Sequence, residues 1–332
     1  MQMNNNALQR TDTRKRVLRF ARRNALLLFL LLTIIIIAVT EESFFTATNA
    51  LTMLRQVAIA GIIVCGTCFV LISGTIDLSV GGNLTLSLCA CSLLAPRIGY
   101  FWAMIACVAI ATLCATLNGL LLSKVVNNDG TPFIITFGTK TVMYAAALLI
   151  TSGHYQKFEG SAAFDWFGKG MIAIIPVPVA LLLIVIVVCH FVFSKTRFGR
   201  RLYFIGINPE STRLSGVSIA KHRILCYMIE GLCIGLAAIV QGARVGSVTA
   251  NSGVSYDFDV LTMAIVGGVT LGGGYGSILD AAVGIVVIGI LSNAMNLMNI
   301  STNPQEIVKG VIILIAVWLD TYNKKREMED AI

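Results

Sequence analysis

The fold class predicted here is an all-α polytopic membrane protein of about ten transmembrane helices, and three observations predict it. Of 332 residues, 56% are apolar and 13% charged, against roughly 25% charged in soluble domains. A soluble chain of this length would lack the charge to cover its surface. Apolar runs of spanning length recur along the whole chain. Basic residues cluster beside those runs, in QRTDTRKRVLRFARRN, SKTRFGRRLYFIGINPESTRLSGVSIAKHR and NKKRE, as cytoplasmic loops do. The net charge of +8 is therefore topological. No basic face is interleaved with aromatics, so no nucleic acid is expected as a partner.

The elements follow in order. Residues 1–23 form a basic cytoplasmic N-terminus. The run 24–40 reads as a retained first span, because the basic stretch before it is long and TATNA (46–50) is a poor cleavage site. On a ruler of about 20 apolar residues, further spans fall at 52–73, 82–95, 101–123, 132–151, 174–194, 223–243, 259–272, 277–298 and 304–320. The runs 82–95 and 259–272 are short and predict tilted or broken helices. Residues 24–320 thus make a single transmembrane domain, followed by a cytoplasmic tail, 321–332. An even span count puts both termini inside, with the loops 124–131 and 195–222. Of the 25 Lys and Arg residues, 18 fall in or beside segments assigned inside and six in or beside those assigned outside, with Lys140 alone deep within a span. That asymmetry supports the orientation.

ISGTIDLSVGG (72–82) interrupts two apolar runs with a carboxylate and three glycines. Irregular backbone at membrane depth is tolerated only inside protein or along a wet cavity. Asp77 or Ser79 is expected to cap the following helix, and Gly81 and Gly82 to permit close packing or a kink. GGVTLGGGYGS (267–277), with Gly272, Gly273 and Gly274, is a weak echo that points to an internal repeat. Lys140 and Glu230 within spans, and Asp280 near a span start, are further ionisable residues, each a functional candidate because charge in hydrocarbon is costly. Lys140 and Glu230 can pair across spans, since buried charges find partners.

Two loops are long enough to carry function. The outer one, 152–173, holds Tyr155, Phe158, Phe164, Trp166 and Phe167. An interfacial aromatic belt accounts for them; the alternative is a short surface helix that docks an external partner. In the inner loop, 195–222, GINPESTRLSG has the grammar of a two-turn helix. Asn208 serves as N-cap, Pro209 as first helical residue, Glu210 complements the dipole, and Gly216 closes the C-terminus.

Several chemistries are missing from the sequence. There is no Gly-x-x-x-x-Gly-Lys-Ser/Thr, His-Glu-x-x-His or Gly-x-Ser-x-Gly, and no pair of carboxylates in one span. An enzyme is disfavoured. The nine cysteines lie almost all in apolar runs, and Cys65-x-x-Cys68 has no second pair, so they read as packing residues. His154, His190 and His222 are scattered and suggest no metal site. Few charges and no nucleotide motif imply that another chain supplies the energy.

LISGTIDLSVGG (71–82), Asn118-Gly119, TPFIITFGT (131–139), KTRFGRRLYFIGINPESTRLSGV (195–217) and the long VGSVTANSGVSYDFDVLTMAIVGGVTLGGGYGSILDAAVGIVVIGILSNAMNLM (245–298) together resemble one family. It is the membrane permease subunits of ribose-type ABC sugar importers, which also resemble branched-chain amino acid permeases. The matching pieces are spread over most of the chain, in order.

The resemblance implies a multi-pass protein of the bacterial inner membrane that pairs with a second copy or a paralogue. It implies an ATP-binding cassette subunit inside, holding ATP and magnesium, and an extracytoplasmic sugar-binding protein outside. No cofactor is expected in this chain. Gly206, Asn208, Pro209, Glu210, Leu214, Ser215 and Gly216 would form the helix that couples to the ATPase. Asp77, Ser79, Gly81, Gly82 and Gly272–Gly274 would form helix breaks beside the pathway. Asn83, Asn118, Lys140, Tyr144, Glu230 and Asn293 would be pathway or intramembrane polar positions. The chain departs from the family pattern at Lys140, near Tyr144, at Glu230 and at Ser211-Thr212, which puts the sugar in doubt, not the fold. The alternatives are a permease for a furanose-like signal, nucleoside or branched-chain amino acid, and an ion-coupled secondary transporter using Asp77, Lys140 and Glu230.

Overall fold

A computed structural model describes residues 41–125, 131–159 and 161–330, together with Leu32, Ile35 and Ile36. The basic N-terminus and, apart from those three positions, the first span 24–40 lie outside the described residues. Helix α1 (Ala47–Ile72) is the centre of the bundle. It starts at Thr46, whose hydroxyl accepts from the Asn49 N–H at 3.3 Å. Every residue from Ala58 to Ile72 is buried, as a helix that is apolar all round requires.

Around α1 stand α2 (Val80–Ile98), α3 (Tyr100–Val125), α4 (Thr131–Ile150), α6 (Val177–Lys195) and α9 (Ile219–Val245). The most apolar stretch of α1 is 83% buried, that of α4 only 17% and that of α6 28%, so the latter two are peripheral. On α3, Ala103, Cys107, Ala111 and Ala115 recur every fourth residue and are fully buried. Ala111 and Ala115 lie against Gly231 and Gly235 of α9. Apolar surface gains little from leaving lipid, so small side chains that allow close approach hold such helices together. The nine cysteines are free, and all but Cys114 are buried.

The outer loop folds into a short helix, α5 (Ala162–Lys169). Strand β1 (Gln156–Lys157) pairs antiparallel with β4 (Ser247–Val248), and β2 (Met171–Ile172) with β3 (Ile175–Pro176). Phe158 and Phe164 turn inward, 4.7 Å apart, whereas Tyr155 and Trp166 are exposed. Packing therefore accounts for two of the aromatics that a membrane-interface belt was expected to explain. The inner loop forms two helices, α7 (Arg197–Ile207) and α8 (Pro209–Leu214). The second half continues with α10 (Tyr256–Val266), α11 (Ile278–Leu297) and α12 (Thr302–Asp330).

Each expected span after the first coincides with a helix, but only α1, α3, α4, α6, α9 and α11 are both long and apolar enough to cross a membrane. Ten full spans are thus not what the described residues display. Helix α2 reaches 19 residues but carries Asn83, Thr85, Ser87 and Ser92. Helix α10 ends after 11 residues at Gly267, and the rest of the expected span 259–272 is irregular. Helix α12 runs on through most of the segment assigned to a separate tail.

Candidate coupling junction and intramembrane polar site

Helix α8 has the grammar its sequence announces. The Asn208 side chain accepts from the Ser211 N–H at 2.9 Å, Pro209 is the first helical residue, and Gly216 is left-handed at φ +82°. Arg213 donates to Glu210 at 2.5 Å, which holds the Glu210 carboxyl below its usual range. Both side chains are well exposed, so the pair contributes little to stability. Leu214 is 75% exposed, a large apolar side chain on a small polar helix. Ser215 closes back on the Ser211 carbonyl at 3.0 Å.

The helix before it, α7, was not anticipated. Its buried Gly199, Leu202 and Ile205 repeat every third residue between basic positions, the signal of a helix lying flat on a surface. Gly206 near its end is pressed against two other elements. A Cβ there would stand 2.1 Å from the Ile72 carbonyl oxygen and 2.2 Å from the Gly274 nitrogen. The Gly274 N–H donates to that same Ile72 carbonyl at 2.9 Å, and the Tyr203 hydroxyl donates to the Gly276 carbonyl at 2.8 Å. A Cβ on Gly273 would meet the Gly74 Cα at 2.6 Å, and the Gly272 carbonyl lies close by. The residues expected for coupling and those expected for the second helix break thus meet in one glycine-to-glycine junction at the end of α1.

The first break is built around Asp77. Its Oδ1 accepts from the Ser79 N–H at 2.6 Å, so Asp77 rather than Ser79 caps the approach to α2. The Ser79 hydroxyl instead accepts from the Asn118 side chain at 2.8 Å. Gly81 touches a third element: its N–H donates to Asp257 Oδ1 at 2.6 Å, and a Cβ would meet the Gly253 carbonyl at 2.1 Å. Gly82 lies against the backbone of Lys140. The N-terminal ends of α2 and α10 therefore start side by side, with the Asp257 carboxylate at the positive end of the α2 dipole.

Asp77→Asn keeps an oxygen for the Ser79 N–H and is expected to melt near the wild type in detergent. Asp77→Leu leaves that buried N–H unpaired, and is expected to cost about 1–3 kcal/mol. Equal melting temperatures for the two variants would remove Asp77 from the capping role.

Residues 49–317 match the family described as a branched-chain amino acid transport system permease component. The ribose import permease protein RbsC of Bacillus subtilis is 36% identical over 85% of this chain and 87% of the relative. The chain belongs to the ribose-type permeases of this family. The D-allose transport system permease protein AlsC of Escherichia coli is 33% identical over 85% of the chain and 86% of the relative. The L-arabinose transport system permease protein AraH of the same organism is 29% identical over 85% of each. No solved structure matches the chain. These relatives are transport permeases, not enzymes, and the protein is a multi-pass membrane permease like them.

In this permease the polar residues expected along a pathway separate into three groups. Asn83 donates to the Ala111 carbonyl at 2.9 Å, and it and Asn118 are buried, tying α2 to α3. Asn293 exchanges two hydrogen bonds with Asn49, at 2.9 and 3.0 Å, and lines a cavity. Lys140, Tyr144 and Glu230 lie near the break, but the pairing foreseen for Lys140 and Glu230 is incorrect. Lys140 Nζ sits 2.5 Å from Asp257 Oδ2. Glu230 faces the other way, accepting from the Thr67 hydroxyl at 2.6 Å. The Tyr144 hydroxyl faces Gly81 and Asp257.

Asp280, a functional candidate by its position, bonds the N-cap of α11. The Ser277 hydroxyl donates to Asp280 Oδ2 at 2.6 Å and accepts from the Asp280 N–H at 3.2 Å. Three charged residues escaped the reading of the sequence: Asp257, Asp259 and Lys309. They had been left to loops and span edges, yet Lys309 Nζ lies 2.6 Å from Asp259 and both are largely buried. The alternation Tyr256-Asp257-Phe258-Asp259 was the available signal, since acidic residues at a helix start favour its dipole.

Proposed function

We propose that this permease is the membrane subunit of an ATP-driven importer that passes a monosaccharide across the bacterial inner membrane. An extracytoplasmic binding protein delivers the sugar, and a second copy or a paralogue completes the pathway. A separate ATP-binding cassette subunit, holding ATP and magnesium, docks on α8, with both termini of the permease on that side. The observation that carries this reading is α8 itself, a capped and exposed helix joined through Gly206 to the end of the central helix. Movement of the ATPase presses on α8, and a backbone-to-backbone contact transmits it without slack, so the helices switch as rigid bodies. Lys140 is held by Asp257, Glu230 by Thr67 and Asp77 by the Ser79 N–H rather than forming a relay, which favours ATP-driven over ion-coupled transport.

The test is a complex of permease, ATPase and binding protein in proteoliposomes, offered D-ribose, D-allose and L-arabinose, with a nucleoside and L-leucine as competing solutes. One of the sugars is expected to stimulate ATP hydrolysis and enter the vesicles. Uptake by the permease alone, driven by an ion gradient, would sink the reading. Within that system Asn208→Ala removes a helix cap, a loss of about 0.5–2 kcal/mol. Affinity for the ATPase subunit is expected to fall several-fold in a binding titration, and an unchanged affinity would separate α8 from docking.

A further inference from the structure

A groove of about 700 Å³ runs along the outside of the bundle, walled by α3 and α9 and closed at one end by Phe167 of α5. Its floor is the seam between the two helices. Val108 and Thr112 line it, and Cβ atoms added to Gly235 and Gly231 of α9 would stand 2.6 and 2.7 Å from their Cα atoms. The groove offers carbon alone, because its two hydroxyls are spent on their own helix. Thr112 donates to the Val108 carbonyl at 2.7 Å and Thr116 to the Thr112 carbonyl at 2.6 Å. Both walls are membrane-spanning helices, so hydrocarbon lies alongside. Phe101 to Thr116 measures about 22 Å at the helical rise, against about 15 Å for the hydrocarbon of one leaflet. Phe101 marks the end away from α8, since the neighbouring Tyr100 hydroxyl donates to the Glu159 carbonyl beside β1 at 2.5 Å. At that mouth Arg97 is exposed and, among the described residues, has neither an ion pair nor a hydrogen bond. Lys169 is already paired with Asp165 at 3.2 Å. Trp102 and Trp166 are exposed at the same end, as aromatics at a membrane boundary are.

We infer that this groove binds one acyl chain of an anionic phospholipid from the leaflet at this end, with the phosphate at Arg97. Left empty, the groove would deny its lining any contact on one side, and an apolar hollow does not recruit water. A helix, whether residues 24–40 or a span of a second copy, is too thick to fill it. With side chains a helix is about 10–12 Å across, so 22 Å of it displaces at least about 1,700 Å³, more than twice the groove. It would rest on the rim and leave the floor bare, whereas a flexible chain one methylene wide reaches the seam. Arg97 then meets the phosphate through charge-assisted hydrogen bonds. Phosphatidylglycerol suits it better than phosphatidylethanolamine, whose own ammonium cancels the phosphate charge. Seated there, the chain braces α3 against α9 from outside.

The experiment is native mass spectrometry of the full-length permease, delipidated and then offered phosphatidylglycerol or phosphatidylethanolamine. The wild type is expected to retain one phosphatidylglycerol per chain, preferred about fivefold, as one basic contact at a lipid surface confers. Ala109 lines the groove, so Ala109→Trp fills it and is expected to cut retention of both lipids about tenfold or more. Arg97→Gln leaves the groove open and is expected to keep retention while erasing the preference. Should Ala109→Trp fail to fold, fluorescence decides. Phosphatidylglycerol with brominated acyl chains is expected to quench the wild-type tryptophans saturably, near one lipid per chain, and Arg97→Gln to need several-fold more lipid. Retention that Ala109→Trp leaves unchanged, or quenching that never saturates, would overturn the inference. So would a Leu113→Cys permease that links into a disulfide dimer in native membranes, since a second copy would then occupy the groove.

Discussion

Gly206→Ala is expected to abolish coupled transport while leaving the ATPase able to bind. The added Cβ would fall 2.1 Å from the Ile72 carbonyl oxygen and 2.2 Å from the Gly274 nitrogen. Both obstacles are backbone, so no side chain can rotate aside. The junction must open, and overpacking of this kind costs about 1–3 kcal/mol. It would also weaken the 2.9 Å bond from Gly274 to Ile72, worth about another 1 kcal/mol. Sugar uptake per ATP hydrolysed should fall at least tenfold in proteoliposomes. The docking surface of α8 is untouched, so co-purification with the ATPase should persist. Gly216→Ala supplies the comparison. Gly216 was also expected among the coupling residues, but a Cβ there meets nothing within 4 Å, and only its φ of +82° resists, at about 1–2 kcal/mol. If Gly206→Ala transports as well as Gly216→Ala, the junction is not a rigid link.

The second large effect concerns the ion pair at the helix break. Asp257→Leu leaves the Lys140 ammonium and the Gly81 N–H without the carboxylate that serves both. Removing one member of a buried pair costs about 3–5 kcal/mol, and thermal unfolding in detergent should register it. Lys140→Met combined with Asp257→Leu is expected to recover much of the loss, since no charge is then stranded. Gly81 still lacks its acceptor, so recovery should be incomplete. Strictly additive losses would show that the two residues do not act as a pair. Exchanging Lys140 and Glu230 for one another should rescue nothing, because Lys140 is paired with Asp257 and Glu230 engages Thr67.

The contrast between these two sites reflects what a linear sequence carries. Helix α8 was legible because its determinants are local: a cap, a proline, an acidic first turn and a closing glycine within nine residues. The break at Asp77 was legible for the same reason, and its capping bond spans two residues. Asp280, expected as a functional candidate, has a partner that is also local, a serine three residues earlier. Lys140 marks the limit. Its need for a partner was evident, but the choice between Glu230 and Asp257 depends on how α4, α9 and α10 are rotated. No apolar pattern fixes that rotation in helices greasy on every side. The same loss of periodicity hid the cavity, whose lining comes from residues as distant as Gln56 and Ser292.

By itself, then, the sequence determined an all-α membrane protein, the approximate place of its helices, a capped helix on the inner loop, and its kinship with ribose-type permeases. Each of these follows from composition, from hydropathy over about 20 residues, or from contiguous motifs. Only the tertiary structure decided that Gly206, Gly74 and Gly273 share one junction, that Asp257 anchors Lys140, and that residues of α1, α9, α10 and α11 line one cavity. In a helical bundle those contacts are set by helix rotation and close backbone approach, and small residues permit an approach without saying to what.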